Sequence, residues 1–159
     1  MKEKIKKNWK FFSCILGILT LMILYFLFVY DIGINSAYFI KRDFQNAFLA
    51  RKTGNCDLFK EYIYTDKDKW GERCIKEKDG DDAPIKEFII KDITIKKDHA
   101  FLQVHLKRDI RHPAMLKLNP QQMEFIERGY VVNYDLIKDN STKFLFLPKT
   151  RWLIKNEAR

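Results

Sequence analysis

The sequence predicts an α+β domain that follows a single apolar helix, and three observations lead to this fold class. Residues 11–30 form a run without any charged side chain. Residues 36–52 place apolar side chains at the spacing of one helix face, whereas from Ile85 onward apolar and polar residues alternate as in strands. A helical part followed by consecutive strands is typical of helices that cover one face of an antiparallel sheet.

The uncharged run is long enough to act as a membrane anchor. As a helix with a rise of about 1.5 Å per residue it measures about 30 Å, which matches the hydrocarbon core of a bilayer. A cleavable signal peptide has a shorter apolar region and ends at a site of small residues, which is missing here. A lipoprotein signal is also excluded, because Cys14 comes too soon after Lys10. We therefore expect a retained transmembrane helix over residues 11–30.

The charge of the leader predicts the orientation of this helix. Five lysines and one glutamate give residues 1–10 a net charge of +4, and lysines beside a span stay in the cytoplasm. Residues 31–35 are then a short linker, and residues 36–159 form one extracytoplasmic domain. The expected location is the inner (cytoplasmic) membrane, with a single span.

The distribution of charge argues against nucleic acid as a partner. The whole chain carries a net charge of +9, of which the leader holds almost half. A nucleic-acid-binding domain concentrates basic residues on its folded part. We expect the membrane to be the partner of the leader lysines.

The chain has three cysteines, of which Cys14 lies in the apolar run and Cys56 and Cys74 lie in the domain. A single pair of cysteines in an exported domain predicts a disulfide bond. The alternative is two reduced cysteines in or near the core.

The first part of the domain reads as helical. Ser36 can cap a helix that runs to about residue 52, with one apolar face and a polar face to which Asp43 is assigned. The apolar positions are Ile40, Phe44, Ala47, Phe48 and, with them, Arg51. Core packing explains this face better than a groove for a partner. A shorter helix is expected over residues 57–64, and a charged loop over residues 65–82.

The second part reads as four strands. The first covers residues 86–96 with a bulge at the apolar pair Ile89 and Ile90, and a tight turn at residues 97–99 leads to a half-buried second strand. Pro113 interrupts the strands, and an insert over residues 108–129 contains a capped short helix that begins at Pro120.

Two further strands complete the predicted sheet. The third strand spans residues 130–138 and is followed by a turn at residues 139–142. The last strand spans residues 143–156, is bent or broken at Pro148, and turns Trp152 and Ile154 to a common face.

This order of elements resembles the nuclear-transport-factor-2-like (cystatin-like) fold, in which a long N-terminal helix lies in a curved antiparallel sheet. The resemblance is carried by the segments SAYFIKRDFQNAFLARKTGNC, FIIKDITIKKDHAFLQVHL, YVVNYDLIKDN and TRWLIKN. With one span in front, the layout is also similar to the bitopic assembly factors of type IV secretion and conjugation machines. That likeness implies contacts with other envelope proteins, although no motif singles out the secretion family.

Enzymes of this fold use a cavity between helix and sheet, so polar groups on the strands are candidate site residues. Here they are His105, Tyr134 and Asp135, although an exposed strand histidine is the simpler explanation of His105. The histidines lack the spacing of metal ligands, and no nucleophile or phosphate-binding motif is present. The sequence therefore predicts no enzyme, no metal and no cofactor.

The leading hypothesis is a membrane-anchored domain that binds other envelope proteins, and a homo-oligomer is compatible with it. The alternative is a small apolar-ligand binder, or an enzyme, that uses the cavity between helix and sheet. Candidate ligand or partner residues are Phe101, His105, Tyr134, Met115, Met123 and Phe125. The residues of the insert could instead cap the core.

Overall fold

A computed structural model describes residues 2–31, 33–144 and 147–158. The side chains of residues 2–8, 10, 11, 28, 29, 117, 142–149 and 158 lie outside the description. Five α-helices and four strands are described: α1 (Lys2–Val29), α2 (Ser36–Lys52), α3 (Cys56–Lys60), α4 (Lys67–Asp79), β1 (Ile85–Lys96), β2 (His99–Arg108), α5 (Pro120–Arg128), β3 (Tyr130–Phe144) and β4 (Leu147–Ala158). A 3₁₀ turn, Pro113–Lys117, precedes α5.

Helix α1 contains the run that the sequence predicts to be an anchor. The described side chains at positions 12–26 are all exposed. Within the described part of the chain, no helix has both the length and the apolar character needed to cross a membrane. The predicted span, residues 11–30, includes side chains that lie outside the described residues.

The four strands form one curved antiparallel sheet in the order β1-β2-β3-β4, so each strand pairs with its neighbour in sequence. This confirms the predicted α+β class with a helix-covered antiparallel sheet. The turn between β1 and β2 is tighter than expected, because His99 already pairs with Lys96 and with Ile137. Only residues 97 and 98 connect the two strands.

Helix α2 covers the inner face of the sheet, and its bounds agree with the prediction. Phe44 and Phe48 stack with ring centroids 4.4 Å apart, and both rings contact Tyr134 of β3 edge-on. Phe88 of β1 packs against the same two rings. Because these aromatic side chains interdigitate, the space between α2 and the middle of the sheet is filled.

The predicted loop over residues 65–82 is wrong. Residues 67–79 form α4, which buries Trp70, Cys74 and Glu77, and Gly80 ends the helix in a left-handed conformation. The sequence does not reveal this helix, because the segment is highly charged and its buried positions include a glutamate and a glycine instead of a regular row of apolar residues. The helix predicted over residues 57–64 is shorter than expected and ends at Lys60.

The predicted turn at residues 139–142 is also wrong. β3 continues to Phe144, and the pairing with β4 shifts register between Asp139 and Thr142. Polar residues in this stretch mark an irregularity within the ladder rather than its end. The last strand accordingly begins at Leu147 and not at residue 143.

The predicted disulfide bond is confirmed. Cys56 at the start of α3 is bonded to Cys74 of α4, with Cα atoms 5.6 Å apart. Both residues belong to the buried core, so the bond fastens α4 to the part of the domain that α2 covers.

A buried carboxylate joins the end of α1 to the domain. Asp31 accepts hydrogen bonds from Ser36 Oγ at 2.5 Å, from the Gly33 backbone N–H at 2.9 Å and from Trp152 Nε1 at 2.8 Å. Lys138 Nζ lies 3.5 Å from the same carboxylate. Burial alone would raise the pKa of Asp31, but these donors outweigh it and hold the pKa below its ordinary value.

Candidate functional site

The connection between β2 and β3 forms an arm (residues 109–129) that contains the 3₁₀ turn and α5. A capping box defines the start of α5. Asn119 accepts a hydrogen bond from the Gln122 backbone N–H, and the Gln122 side chain accepts one from the Asn119 N–H. Pro120 occupies the first turn, where its missing N–H costs nothing. α5 is therefore a locally well-specified helix.

This helix contributes very little to the core. None of its residues is buried, and Phe125 is 60% exposed. Leu116 in the preceding turn is 77% exposed, whereas Met115 is buried. Large exposed apolar side chains on an ordered helix are typical of surfaces that contact other molecules.

The arm borders a cavity of about 1130 Å³ at the end of the inner sheet face. Its walls come from the arm, from all four strands, and from the helices α2 and α4. Apolar side chains form much of the wall, and they are Ile85, Leu106, Met115, Leu118, Phe125, Ile126, Tyr130, Val131, Val132 and Tyr134. A cavity of this size is large enough for a small-molecule ligand or for a short protein segment.

Charged side chains also line the cavity. Arg51 of α2 donates from Nε and Nη2 to the two carboxylate oxygens of Glu77, at 2.8 and 2.6 Å, and both side chains are buried. Arg108 Nη1 donates to the same carboxylate at 3.1 Å and to Asp82 at 3.2 Å. This network joins α2, α4 and β2 at the cavity wall.

The network keeps Arg108 charged. Burial opposes the charge, but the contact with Tyr130 and the carboxylates of Glu77 and Asp82 raise the pKa of Arg108 above its ordinary value. Arg108 Nε donates to the Tyr130 hydroxyl at 3.0 Å, and the Tyr130 ring stacks on Phe125. A chain of contacts thus runs from the buried charges to the arm.

A second ion pair lies near the same wall. Arg73 Nη1 of α4 is 2.9 Å from Glu157 Oε2 of β4, and both residues line the cavity. Arg51, Arg73 and Arg108 are each paired with a carboxylate, so the charges of the lining are largely balanced. An occupant with an apolar body and hydrogen-bonding groups would match this mixed lining.

The structure separates the predicted site residues into two groups. Tyr134 points inward, is buried beneath α2 and lines the cavity, and burial raises the pKa of its hydroxyl. Phe101 and His105 lie on the opposite, outer face of the sheet. The proposed cavity lined by Phe101, His105 and Tyr134 together is therefore not formed.

His105 has a structural neighbour in the arm. A Cβ atom on Gly129 would lie 2.5 Å from the His105 ring and 2.8 Å from the Leu106 carbonyl oxygen. Gly129 has a φ of +80°, so a side chain there would be strained as well as crowded. The histidine packs against the point where the arm returns to β3.

The remaining predicted residues belong to the arm but have different environments. Met115 is buried and borders the cavity, and Met123 is half-buried. Phe125 is exposed at the cavity mouth. Met115 thus caps the core, and Phe125 is the residue of the three that is open to a partner.

Sequence reasoning missed the charged part of the wall. Glu77 and Arg73 fall in the segment predicted to be a loop, and the helical pattern places Arg51 on the core-facing side of α2 without predicting its partner. The available signal was the arginine itself, because a buried arginine needs a carboxylate. Which carboxylate pairs with Arg51 depends on how α2 and α4 pack, and the sequence alone does not reveal this.

The described residues offer limited chemistry. No three His, Cys, Asp or Glu side chains among them are grouped so as to hold a metal ion. His99 Nδ1 lies 3.4 Å from Asp135 Oδ1 on the outer face, away from the cavity. The arrangement is a cavity lined by apolar and charged side chains, with the exposed aromatic side chain of Phe125 at its border.

No family model, no curated protein and no solved structure matches this chain.

Proposed function

We propose that the chain is a membrane-tethered, non-catalytic protein whose extracytoplasmic domain binds another envelope protein through the arm and its cavity. The observation that carries this proposal is α5, a capped helix that buries none of its residues and presents Phe125 at the cavity mouth. Interface hot spots are commonly aromatic residues beside pockets. A partner side chain inserted into the cavity would bury Phe125.

The proposed tether rests on the sequence of residues 11–30 and on its surroundings. The described side chains at positions 12–26 are exposed on all faces of α1, and most are apolar. Lipid would remove these side chains from water. The leader lysines favour an inner membrane location with the amino terminus in the cytoplasm.

A tether would influence binding by position. A domain confined to the membrane surface meets partners there at a raised effective concentration. The hydrogen bonds of Asp31 to Gly33, Ser36 and Trp152 fasten the end of α1 to the domain. The arm would therefore be presented in a restricted set of directions.

Site-specific photo-cross-linking in membranes tests the partner surface. A photoreactive amino acid placed at position 125 should yield adducts with another envelope protein. The matched control is position 49, because Leu49 of α2 is 57% exposed but lies away from the cavity. Equal adducts at both positions, or none at position 125, would contradict the proposal.

Cysteine labelling of intact cells tests the tether separately. In a Cys14→Ser background, Asn140→Cys should react with a membrane-impermeant maleimide, and Lys4→Cys should react only after lysis. Asn140 is exposed in β3, so its accessibility depends on topology. Labelling of Asn140→Cys only after lysis would overturn the predicted orientation.

The second candidate function is binding of a small ligand with an apolar body in the same cavity. It is favoured by the volume of about 1130 Å³ and by the apolar wall beneath the arm. The probe 1-anilinonaphthalene-8-sulfonate should fluoresce with the full chain and lose this signal when Ile126→Trp fills the cavity. The cross-linking experiment at position 125 can be repeated in the Ile126→Trp variant. If the adduct with the envelope protein still forms there, the cavity binds the ligand and the exposed surface of the arm binds the partner.

The resemblances to the nuclear-transport-factor-2-like fold and to secretion assembly factors stay predictions. The four-stranded meander under α2 is compatible with the first. A partner identified at position 125 would test the second directly.

A further inference from the structure

The two edges of the sheet are exposed to different degrees. At the β4 edge, residues 62–65 cover the strand: the Tyr64 N–H donates to the Ile154 carbonyl, and the Ile154 N–H donates to the Tyr62 carbonyl, each at 2.8 Å. At the other edge, β1 pairs only with β2 among the described residues. There Lys52 Nζ reaches the Lys86 carbonyl at 3.0 Å. β1 is thus the open edge.

This open edge is long and carries exposed apolar side chains. β1 extends over twelve residues, and Ile89 and Ile95 are 42% and 39% exposed. An uncovered edge strand presents backbone N–H and C=O groups that can pair with another strand. Addition of a strand at such an edge is a common mode of recognition.

Two bulges restrict where a strand could pair. The register with β2 shifts between Ile85 and Glu87 and again between Ile90 and Asp92. Residues 87–90 therefore form a short regular stretch between the two irregularities. Any added strand has a narrow choice of register along β1.

The residues of this stretch are complementary to themselves when read in the opposite direction. With a two-fold axis at Ile89, Phe88 faces Ile90 of a second copy, and both are inward-facing, half-buried residues. Ile89 faces its own copy on the outer side. Aromatic and β-branched residues directly opposite each other stabilise antiparallel pairs.

The charges agree with the same register. Beyond the regular stretch, Glu87 would lie beside Lys91 of the second copy, and Lys86 beside Asp92, so each contact joins opposite charges. Lys86 and Lys91 are the extra residues at the two register shifts, and their long, flexible side chains can reach the carboxylates from these irregular positions. All four side chains are exposed and accessible for pairing. A strand of different sequence would not repeat this match on both sides of the axis.

We propose that a second copy of this chain pairs antiparallel along β1, with the two-fold axis at Ile89, to join two sheets. The contact is short, so the dimer forms at high local concentration rather than as an obligate unit. It lies at the opposite edge from β4, does not use the arm, and does not depend on the proposed partner.

The test uses the full chain in detergent micelles with Cys14→Ser as background and a short bis-maleimide cross-linker. Ile89→Cys should give a covalent dimer, because two copies of the residue on the axis face each other. Ile95→Cys is the control, since it has similar exposure in the same strand. Its two copies would lie about 40 Å apart along the paired strands.

Charge reversal tests the register. In the Ile89→Cys protein, Lys91→Glu should lower the dimer yield several-fold, because Glu87 of one copy then faces a glutamate. Adding Glu87→Lys should restore the yield. Equal yields for Ile89→Cys and Ile95→Cys, no dimer with Ile89→Cys, or no recovery in the charge-swapped variant would each overturn the proposed pairing.

Discussion

The inner face of the sheet has two regions that differ in packing. Under α2, the rings of Phe44, Phe48 and Tyr134 contact one another, and all three are buried. Under the arm, the face opens into a cavity of about 1130 Å³ bordered by a helix without buried residues. The buried pair of Arg51 and Glu77 lies at the boundary.

We expect this difference to separate the residues that stabilise the domain from those of the proposed partner surface. Aromatic side chains that fill a core contribute strongly to the free energy of unfolding, because their removal leaves a cavity. Side chains at the mouth of an open cavity contribute little to stability and remain accessible. We therefore expect substitutions under α2 to unfold the domain, and substitutions in the arm to change binding.

The largest effect is expected from Phe44→Ala. This side chain is fully buried between Phe48, Phe88 and Tyr134, so its loss should lower the free energy of unfolding by about 3–5 kcal/mol. Chemical denaturation followed by circular dichroism measures the change. A loss below about 1 kcal/mol would show that the region under α2 is not tightly packed.

The next effect concerns the disulfide bond. Replacing both Cys56 and Cys74 with serine opens a loop whose ends are 18 residues apart, and this should cost about 3 kcal/mol. Thermal unfolding of the double variant measures the loss, with Cys14→Ser as the matched control. An unchanged midpoint would mean that the bond does not support the packing of α4.

A smaller effect on the free energy of unfolding is expected at Gly129, where the arm joins β3. Gly129→Ala places a Cβ atom against His105 and the Leu106 carbonyl at a positive φ, at a cost of about 1–3 kcal/mol. The change should displace the arm, so the fluorescence of a probe bound in the cavity should fall as well. Gly17→Ala is the control, since nothing lies near its Cβ position.

The smallest effect on stability is expected from Phe125→Ala. Because Phe125 is largely exposed, the free energy of unfolding should change by about 0.5 kcal/mol or less. Binding of the envelope partner should nevertheless weaken at least tenfold, as measured by titration of the purified components. A large loss of stability with unchanged binding would show that Phe125 supports the fold and does not belong to a partner surface.

The elements that the sequence predicts well have simple periodic patterns. α2 shows its core face through Ile40, Phe44 and Phe48, and β2 alternates Leu102 and Val104 with polar residues. The cap of α5 is also local, because Asn119 and Pro120 form it with residues of the same turn. Such signals need no knowledge of the rest of the chain.

The errors occur where polar residues are buried or where strands continue through polar segments. Asp43 lies on the polar side in the sequence, yet it is buried and accepts a hydrogen bond from the Trp152 backbone N–H at 2.9 Å. Burial raises the pKa of its carboxyl despite this bond and the contact with Arg42. α4 is missed for a similar reason, because Glu77 is buried by pairing with an arginine that is distant in sequence.

The sequence by itself determined the α+β class, the position of α2, the alternation of β2 and the one pair of cysteines in the domain that could form a disulfide bond. These depend on local periodicity and on counting. The tertiary structure alone decided that Tyr134 and Phe101 lie on opposite faces, that three arginines line one cavity, and that β1 is the open edge. These depend on which elements pack together, and contacts between distant residues leave no periodic signal in a single sequence.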